Sequence, residues 1–341
     1  MFDFLFMLVV FTVILALIFD FGNGLNDAAN AIATVVATRA LPLWGAVILA
    51  AIGNFLGVFI FGVAVATTIA KGLVDPNIVT VYVILGGLVG SILWIYFATY
   101  RGLPISASHS LIGGFIGAAL AKAGIESLNF GGIAKVLVFI VAAPVLGMIG
   151  GFLFFALIMW IFRRANPKNV NKWFRRLQLI SATSYSITHG ANDAQKTMGL
   201  IAILLFSSGF LGNEFFIPFW IIIASYAVIS LGTLAGGWKV VKTMGMKLTK
   251  LRPVHGFCAE SAGSLVLAFT SITGIPVSTT HVIAGSIAGV GVTRRLSAVR
   301  WSLARKIVWA WILTIPAAAT VSGISYWLIS LFYLVISSIS K

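Results

Sequence analysis

Two short motifs, each present twice in the chain, contain the residues best suited to bind ions. The first reads GLNDA at residues 24–28 and returns 166 positions later as GANDA at 190–194. Its aspartates, Asp27 and Asp193, lie in apolar sequence, where a carboxylate at the centre of a bilayer costs about 2.5–3.5 kcal/mol. Such a group needs a positive partner, so we predict that Asp27 and Asp193 bind a cation, with Na⁺ as the expected ion. The structural alternative is that each carboxylate caps a broken helix.

The second motif reads PISASH at residues 104–109 and returns as PVSTTH at 276–281. Proline suits the first turn of a helix, and Ser or Thr there caps the helix and supplies hydroxyl donors. The free N–H groups and positive dipole of a helix N-terminus also attract oxyanions. We predict two re-entrant hairpins whose tips bind a tetrahedral oxyanion, with ordinary helix capping as the alternative. The predicted anion-binding residues are Asn26, Asn192, Ser106, Ser108, Ser278, Thr279 and Thr280.

Three further polar residues stand out. Glu260 lies in apolar sequence without an acidic counterpart in the first half of the chain, and we predict that it binds a cation, as does Asn30. Lys196 occupies the place in the second motif that Asn30 has in the first. Its ammonium has three open roles: to neutralise an acid, to contact the anion, or to occupy a cation position. His189, which precedes the second motif, is open between a functional and a structural role. Asp3 is predicted to be solvated.

The composition indicates that these polar residues belong to a protein that spans a membrane. Of 341 residues, 60% are hydrophobic and 9% are charged, whereas soluble domains have about 25% charged residues. Apolar runs near or above the roughly 20 residues of a spanning helix occur at 2–19, 43–70, 78–98, 136–162, 215–236 and 307–336. This excludes an ordinary soluble protein and predicts a multi-pass protein in the lipid bilayer. The single Cys258 excludes internal disulfides.

The loop charges predict how the two halves are oriented. The formal net charge is +15, and the basic residues cluster at 163–176, at 239–252, which includes Lys247, and at 294–306. Such clusters are typical of cytoplasmic loops, not of a nucleic-acid-binding surface. The first-half counterparts of the last two clusters, at 71–75 and 122–135, are weakly charged, so equivalent loops are predicted to lie on opposite sides of the membrane.

The fold class that follows is an all-α polytopic membrane protein with two inverted-topology repeats, re-entrant hairpins and roughly 10–12 membrane segments. Residues 1–162 would form the N-terminal repeat, 163–177 a basic cytoplasmic linker, and 178–341 the C-terminal repeat. Glycines at positions 22, 24 and 190 predict helix breaks beside the aspartates. A break would free backbone carbonyl groups, which would help to bind a cation.

The motifs resemble the duplicated signature of the inorganic phosphate transporter (PiT) family. The resemblance rests on GLNDAANA at 24–31, HGANDAQKTMG at 189–199 and GIPVSTTH at 274–281, and it spans essentially the whole chain. It implies sodium- or proton-coupled phosphate uptake by an inverted-repeat protein that is often a homodimer. The chain departs from the family pattern at Leu25 and in the missing hydroxyl at Ala107, and it lacks the long central cytoplasmic loop of animal members. The signature residues fall on Asn26, Asp27, Asn192 and Asp193, the hydroxyl cluster on Ser106, Ser108, Ser278, Thr279 and Thr280, and the acidic residue before the second hairpin on Glu260.

Together these features predict a secondary active transporter in the cell membrane. It would import inorganic phosphate by symport, with Na⁺ favoured over H⁺, through alternating access. No enzymatic chemistry and no cofactor is expected, and the chain has no Walker P-loop. The alternatives are a permease for sulfate or another tetrahedral oxyanion, an ion channel, and a membrane-embedded metal-dependent enzyme.

Overall fold

The computed structural model describes residues 4–75, 77–246 and 248–339, so Asp3 and Lys247 lie outside the described residues. The described chain is helical, with one isolated β-bridge between Val74 and Leu128. Its twelve α-helices are, in order, α1 Phe4–Ala37, α2 Leu43–Leu56, α3 Ala64–Gly72, α4 Val81–Arg101, α5 Ala107–Ala123, α6 Phe130–Ile161, α7 Pro167–Ser207, α8 Phe219–Ala235, α9 Trp238–Val241, α10 Pro253–Ile272, α11 Thr279–Arg294 and α12 Trp301–Ile339.

The predicted all-α fold with membrane-length helices is confirmed. Helices α1, α4, α6 and α12 are each long and apolar enough to cross a membrane, and two bent helix pairs raise the total to as many as six spans. The pairs are α2 with α3, bent by 81°, and α8 with α9 and the π-helical turn that follows it, bent by 69°. Exposed side chains along α6, such as Leu137, Val141 and Leu153, are apolar, as a surface in contact with lipid requires.

The predicted helix breaks beside the aspartates are wrong. Helix α1 runs without interruption through residues 22–24, and α7 runs through Gly190. These glycines instead allow backbones to touch: a Cβ atom at Gly24 would overlap the carbonyl oxygen of Ile229, and one at Gly190 would overlap that of Asn54. The helices therefore keep their internal hydrogen bonds, and the glycines bring α8 against α1 and α2 against α7.

The two halves of the chain pack on each other in a reciprocal pattern. Helix α6 lies against α11 as α12 lies against α5, and α1 lies against α8 as α2 lies against α7. Both apolar cores contain side chains from both halves. Only residues 162–166 separate α6 from α7, so most of the predicted linker at 163–177 forms the beginning of α7. The halves therefore share their cores and form one body.

Two helical hairpins bring the second motif into the interior. The hairpin of α4 and α5 turns at residues 102–106, and that of α10 and α11 turns at 273–278. Ser106 caps α5 by accepting the backbone N–H of His109 at 3.1 Å, and Ser278 caps α11 by accepting that of His281 at 3.3 Å. The rings of the two histidines are in contact, with centroids 4.7 Å apart. The hairpin tips therefore meet inside the molecule.

Candidate ion-binding site

The centre of the site is the place where the two motif aspartates meet. Asp27 lies in the C-terminal half of α1 and Asp193 in the C-terminal half of α7, and both are buried. The Thr279 hydroxyl, in the first turn of α11, lies 3.1 Å from Asp27 Oδ2 and 3.0 Å from Asp193 Oδ2. A hydroxyl has a single hydrogen to donate, so it satisfies one carboxylate at a time. Two carboxylates this close together require additional positive charge.

His189 faces the same pair. Its Nδ1 atom lies 3.0 Å from Asn54 Oδ1, while the Asn54 amide nitrogen donates to Thr233. The Asn54 oxygen must therefore accept, and Nδ1 has the hydrogen. The other ring nitrogen, Nε2, lies 3.3 Å from Asp193 Oδ2 and 4.0 Å from Asp27 Oδ2. Two arrangements make this contact favourable. Nε2 is a second N–H donor to the carboxylates, or a cation lies between Nε2 and the carboxylates.

These three side chains can hold a cation. One ligand atom from each of Asp27, His189 and Asp193 lies within 4.8 Å of the others. Sequence reasoning left the role of His189 open and did not identify Asn54. The position of His189, one turn before Asp193 on α7, was the available signal, because residues i and i+4 share a helix face.

Lys196 supplies a positive charge on the Asp193 side. Its ammonium is almost fully buried, and it donates to Asp193 Oδ1 at 2.5 Å, to Ser108 Oγ at 2.5 Å and to the Val277 carbonyl oxygen at 2.7 Å. Lys196 thus joins α7 to the tips of both hairpins. Asn30, its counterpart on α1, donates to the Thr280 hydroxyl at 3.0 Å.

The predicted hydroxyl cluster divides into two groups. Thr279 and Thr280 contact the aspartates directly, and the Thr280 hydroxyl lies 3.3 Å from Asp27 Oδ1. Ser108 belongs to the same group through Lys196, which donates to it and to Asp193. Ser106 and Ser278 cap their helices, as the alternative interpretation expected. The first N–H groups of α5 and α11 lie beside this cluster, and such groups have no partner within their own helix.

The motif asparagines contact the first helix of each hairpin, near the tip. Asn26 donates to the Thr99 hydroxyl at 2.8 Å, near the end of α4. Asn192 makes the equivalent but longer contacts, of 3.4 Å, to Thr270 and Ser271 near the end of α10. The side-chain oxygen of each asparagine is buried without a hydrogen-bond partner among the described residues. Each asparagine therefore joins its own motif to a hairpin and retains an acceptor for a further donor or a cation.

Glu260 lies in a separate polar cluster. Its carboxylate accepts hydrogen bonds from the Thr34 and Ser181 hydroxyls, each at 2.5 Å, and from the Gln178 amide at 3.0 Å. Thr34 lies seven residues after Asp27 on α1, a rise of about 10 Å. The structure therefore does not bring Glu260 into contact with the aspartate pair. Sequence reasoning missed these three donors, which lie far from Glu260 in the chain.

A cavity of about 630 Å³ lies between α3, α6 and the loop from α10 to α11. Its wall includes Asn129 and the basic residue Lys135. Its wall also includes Pro276, and the next residue is Val277, whose carbonyl oxygen accepts the hydrogen bond from Lys196. A positively charged side chain and the residue before a Lys196 partner thus line the same cavity.

The chain has helices of membrane length and buried charges of opposite sign, the aspartates and Lys196. The hairpin tips of both halves of the chain contact these charges. This combination defines a multi-pass membrane transport protein, since charges inside a membrane are expensive and mark ion pathways. The chain belongs to the phosphate transporter family: the family model matches residues 23–322. The predicted family is thus confirmed, and the proteins of this family are transporters, not enzymes.

Known relatives agree over almost the whole chain. A protein of Rhizobium meliloti described as a probable low-affinity inorganic phosphate transporter is 51% identical, over 94% of this chain and 96% of the relative. A Bacillus subtilis protein with the same description is 41% identical, over 97% of this chain and 100% of the relative. The solved structure described as "The sodium-dependent phosphate transporter" superimposes with a TM-score of 0.89 at 29% identity, covering 95% of this chain and 99% of that one.

Proposed function

We propose that this protein imports inorganic phosphate by symport with Na⁺, through alternating access. The observation that carries the proposal is the shared contact of Asp27 and Asp193, one from each half of the chain, with Thr279 at the meeting point of the hairpin tips. A site built by both halves can face either side of the membrane when one half rocks against the other.

Charge balance explains why transport of the anion would need a cation. Asp27 and Asp193 bring two negative charges, and Lys196 offsets one of them. An oxyanion entering this buried site adds more negative charge, which is costly without compensation. A Na⁺ ion held by carboxylate and hydroxyl oxygens, the ligand atoms that hard cations prefer, offsets that charge. Phosphate and Na⁺ therefore stabilise each other in the site, and this makes their transport coupled.

The anion is proposed to lie at the N-termini of α5 and α11. The hydroxyls of Ser108, Thr279 and Thr280 and the first backbone N–H groups of both helices supply donors there. Ser106 and Ser278 keep these termini in place as caps. Asn26 and Asn192 are proposed to complete the donor set once the site rearranges around the ligand. Glu260, on α10 and in contact with Thr34 farther along α1, is proposed as a second cation position.

Na⁺ is preferred to H⁺ because the site is rich in oxygen ligands, and the similar solved structure is described as sodium-dependent. The reciprocal packing of the halves supports two inverted repeats. The cavity beside Lys135 is proposed as the external approach, since the loop before Lys135 belongs to the weakly charged side. We further propose that the protein works in the cell membrane as a homodimer, as the family resemblance implies.

The function is tested by uptake of ³²P-labelled phosphate into proteoliposomes under an imposed Na⁺ or H⁺ gradient. We expect an inward Na⁺ gradient to drive accumulation, and a H⁺ gradient without Na⁺ to drive little. Unlabelled phosphate should compete, and sulfate should not. Accumulation that follows only the H⁺ gradient contradicts Na⁺ symport, and efficient competition by sulfate contradicts phosphate specificity.

The inverted topology predicts opposite accessibility of two equivalent loops. Glu126 lies within the 3₁₀ turn Ile125–Ser127, Arg295 lies directly before the 3₁₀ turn Leu296–Ala298, and both are exposed. In a Cys258→Ser background, Glu126→Cys should react with a membrane-impermeant thiol reagent in intact cells. Arg295→Cys should react only after the membrane is opened, because its basic loop is cytoplasmic. Labelling of both positions from the same side would exclude the inverted arrangement.

A further inference from the structure

The site contains two similar groups of oxygen atoms, one at each aspartate. At Asp193, a carboxylate, the Ser108 hydroxyl and the Val277 carbonyl surround the Lys196 ammonium within 2.7 Å. A carboxylate, a hydroxyl and a backbone carbonyl are hard oxygen ligands of the kind that bind Na⁺. An ammonium has three hydrogen-bond donors, and the ammonium of Lys196 uses them on these three oxygens.

The group at Asp27 has the same composition without an ammonium. The Thr280 hydroxyl lies 3.3 Å from Asp27 Oδ1 and 3.1 Å from the Ile105 carbonyl oxygen. In the repeated motifs, Asp27 corresponds to Asp193, while Thr280 and Ile105 correspond to Ser108 and Val277 of the opposite hairpin copies. The position corresponding to Lys196 is Asn30, an uncharged side chain that donates to Thr280.

We propose that the Lys196 ammonium is a tethered cation that fills one of two equivalent cation positions, leaving the Asp27 position for a mobile ion. This inference rests on the proposed function and specifies its stoichiometry: one coupling cation fewer per phosphate than if both positions were open. Lys196 lies three residues after Asp193 on the same face of α7. Its charge therefore stays in the site throughout the transport cycle, whereas a Na⁺ ion enters and leaves.

The test is Lys196→Asn, which gives the Asp193 group the side chain that the Asp27 group already has. We expect the ratio of ²²Na to ³²P uptake in proteoliposomes to rise by about one Na⁺ per phosphate. We also expect phosphate uptake to depend more steeply on Na⁺ concentration. The matched variant is Asn30→Lys, which should fill the remaining position and abolish the response to Na⁺ at the aspartate pair.

A second measurement does not require transport. Ligands that bind the folded state raise its thermal stability, so the protein in detergent should be stabilised by Na⁺ more steeply in Lys196→Asn than in the wild type, and less in Asn30→Lys. If Lys196→Asn does not fold, the reduced Na⁺ response of Asn30→Lys decides the question. If the wild type couples to Na⁺ but Lys196→Asn keeps the same ratio of Na⁺ to phosphate, this inference is wrong and the proposed function stands. The same holds if the Na⁺ response is unchanged in Asn30→Lys. Absence of Na⁺ coupling in the wild type overturns the proposed function as well.

Discussion

Asp27→Asn is expected to leave the protein folded and to raise the Na⁺ concentration for half-maximal phosphate uptake by about 100-fold or more. Removing one partner of a buried charge pair costs about 3–5 kcal/mol, and each 1.4 kcal/mol is a factor of about ten in affinity. The asparagine keeps an oxygen to accept from Thr279 or Thr280, but it loses the charge that binds the cation. The measurement is Na⁺-dependent ³²P uptake in proteoliposomes.

Asp193→Asn should also impair Na⁺-driven uptake, and it should destabilise the protein. Lys196 would lose its carboxylate partner, and a buried unpaired ammonium costs several kcal/mol. A lower melting temperature is therefore expected for Asp193→Asn, and adding Lys196→Asn should partly restore it. Glu126→Gln, which changes an exposed acid, should resemble the wild type in both measurements. Normal Na⁺-driven uptake by Asp27→Asn or Asp193→Asn would contradict the role of the aspartates.

Gly190→Ala is also expected to have a large effect, for a steric reason. The added Cβ would overlap the backbone of Asn54. A side chain could relieve such an overlap by adopting another rotamer, but a helix backbone cannot. Overpacking of this kind typically costs about 1–3 kcal/mol. Asn54 also accepts the hydrogen bond from His189, so displacing α2 disturbs the ion site directly. We expect both a lower melting temperature in detergent and a large loss of phosphate uptake.

Gly45→Ala is the matched control for this glycine. Gly45 also lies within a helix, but its nearest neighbour would be Pro42 Cγ at an ordinary 3.5 Å from the added Cβ. Alanine is favoured over glycine in a helix by roughly 0.5–1 kcal/mol, so Gly45→Ala should be at least as stable as the wild type and fully active. If Gly190→Ala matches this control, the close contact between α2 and α7 is not required.

Much of the site was predictable because its residues occur in repeated, strongly marked positions. Asp27 and Asp193 are two of eight acidic residues in the chain, and a bilayer penalises an unpaired charge, so their types and surroundings indicated ion binding. The hydroxyls at the two hairpins were predictable because their motif is also repeated. Glu260 was recognised as unusual, but its partners Thr34, Gln178 and Ser181 lie on two other helices, where sequence spacing carries no information about contact.

The sequence by itself determined that the protein is a helical membrane protein, which residues are too polar for a lipid environment, and that its motifs are duplicated. These properties depend on composition and on order along the chain. Only the tertiary structure decided that the motif glycines join helices instead of breaking them, that His189 reaches both carboxylates, and that Lys196 rests among oxygens of α7 and both hairpin tips. Such contacts arise when distant helices pack together, and a repeat in sequence specifies equivalent positions without specifying which of them meet.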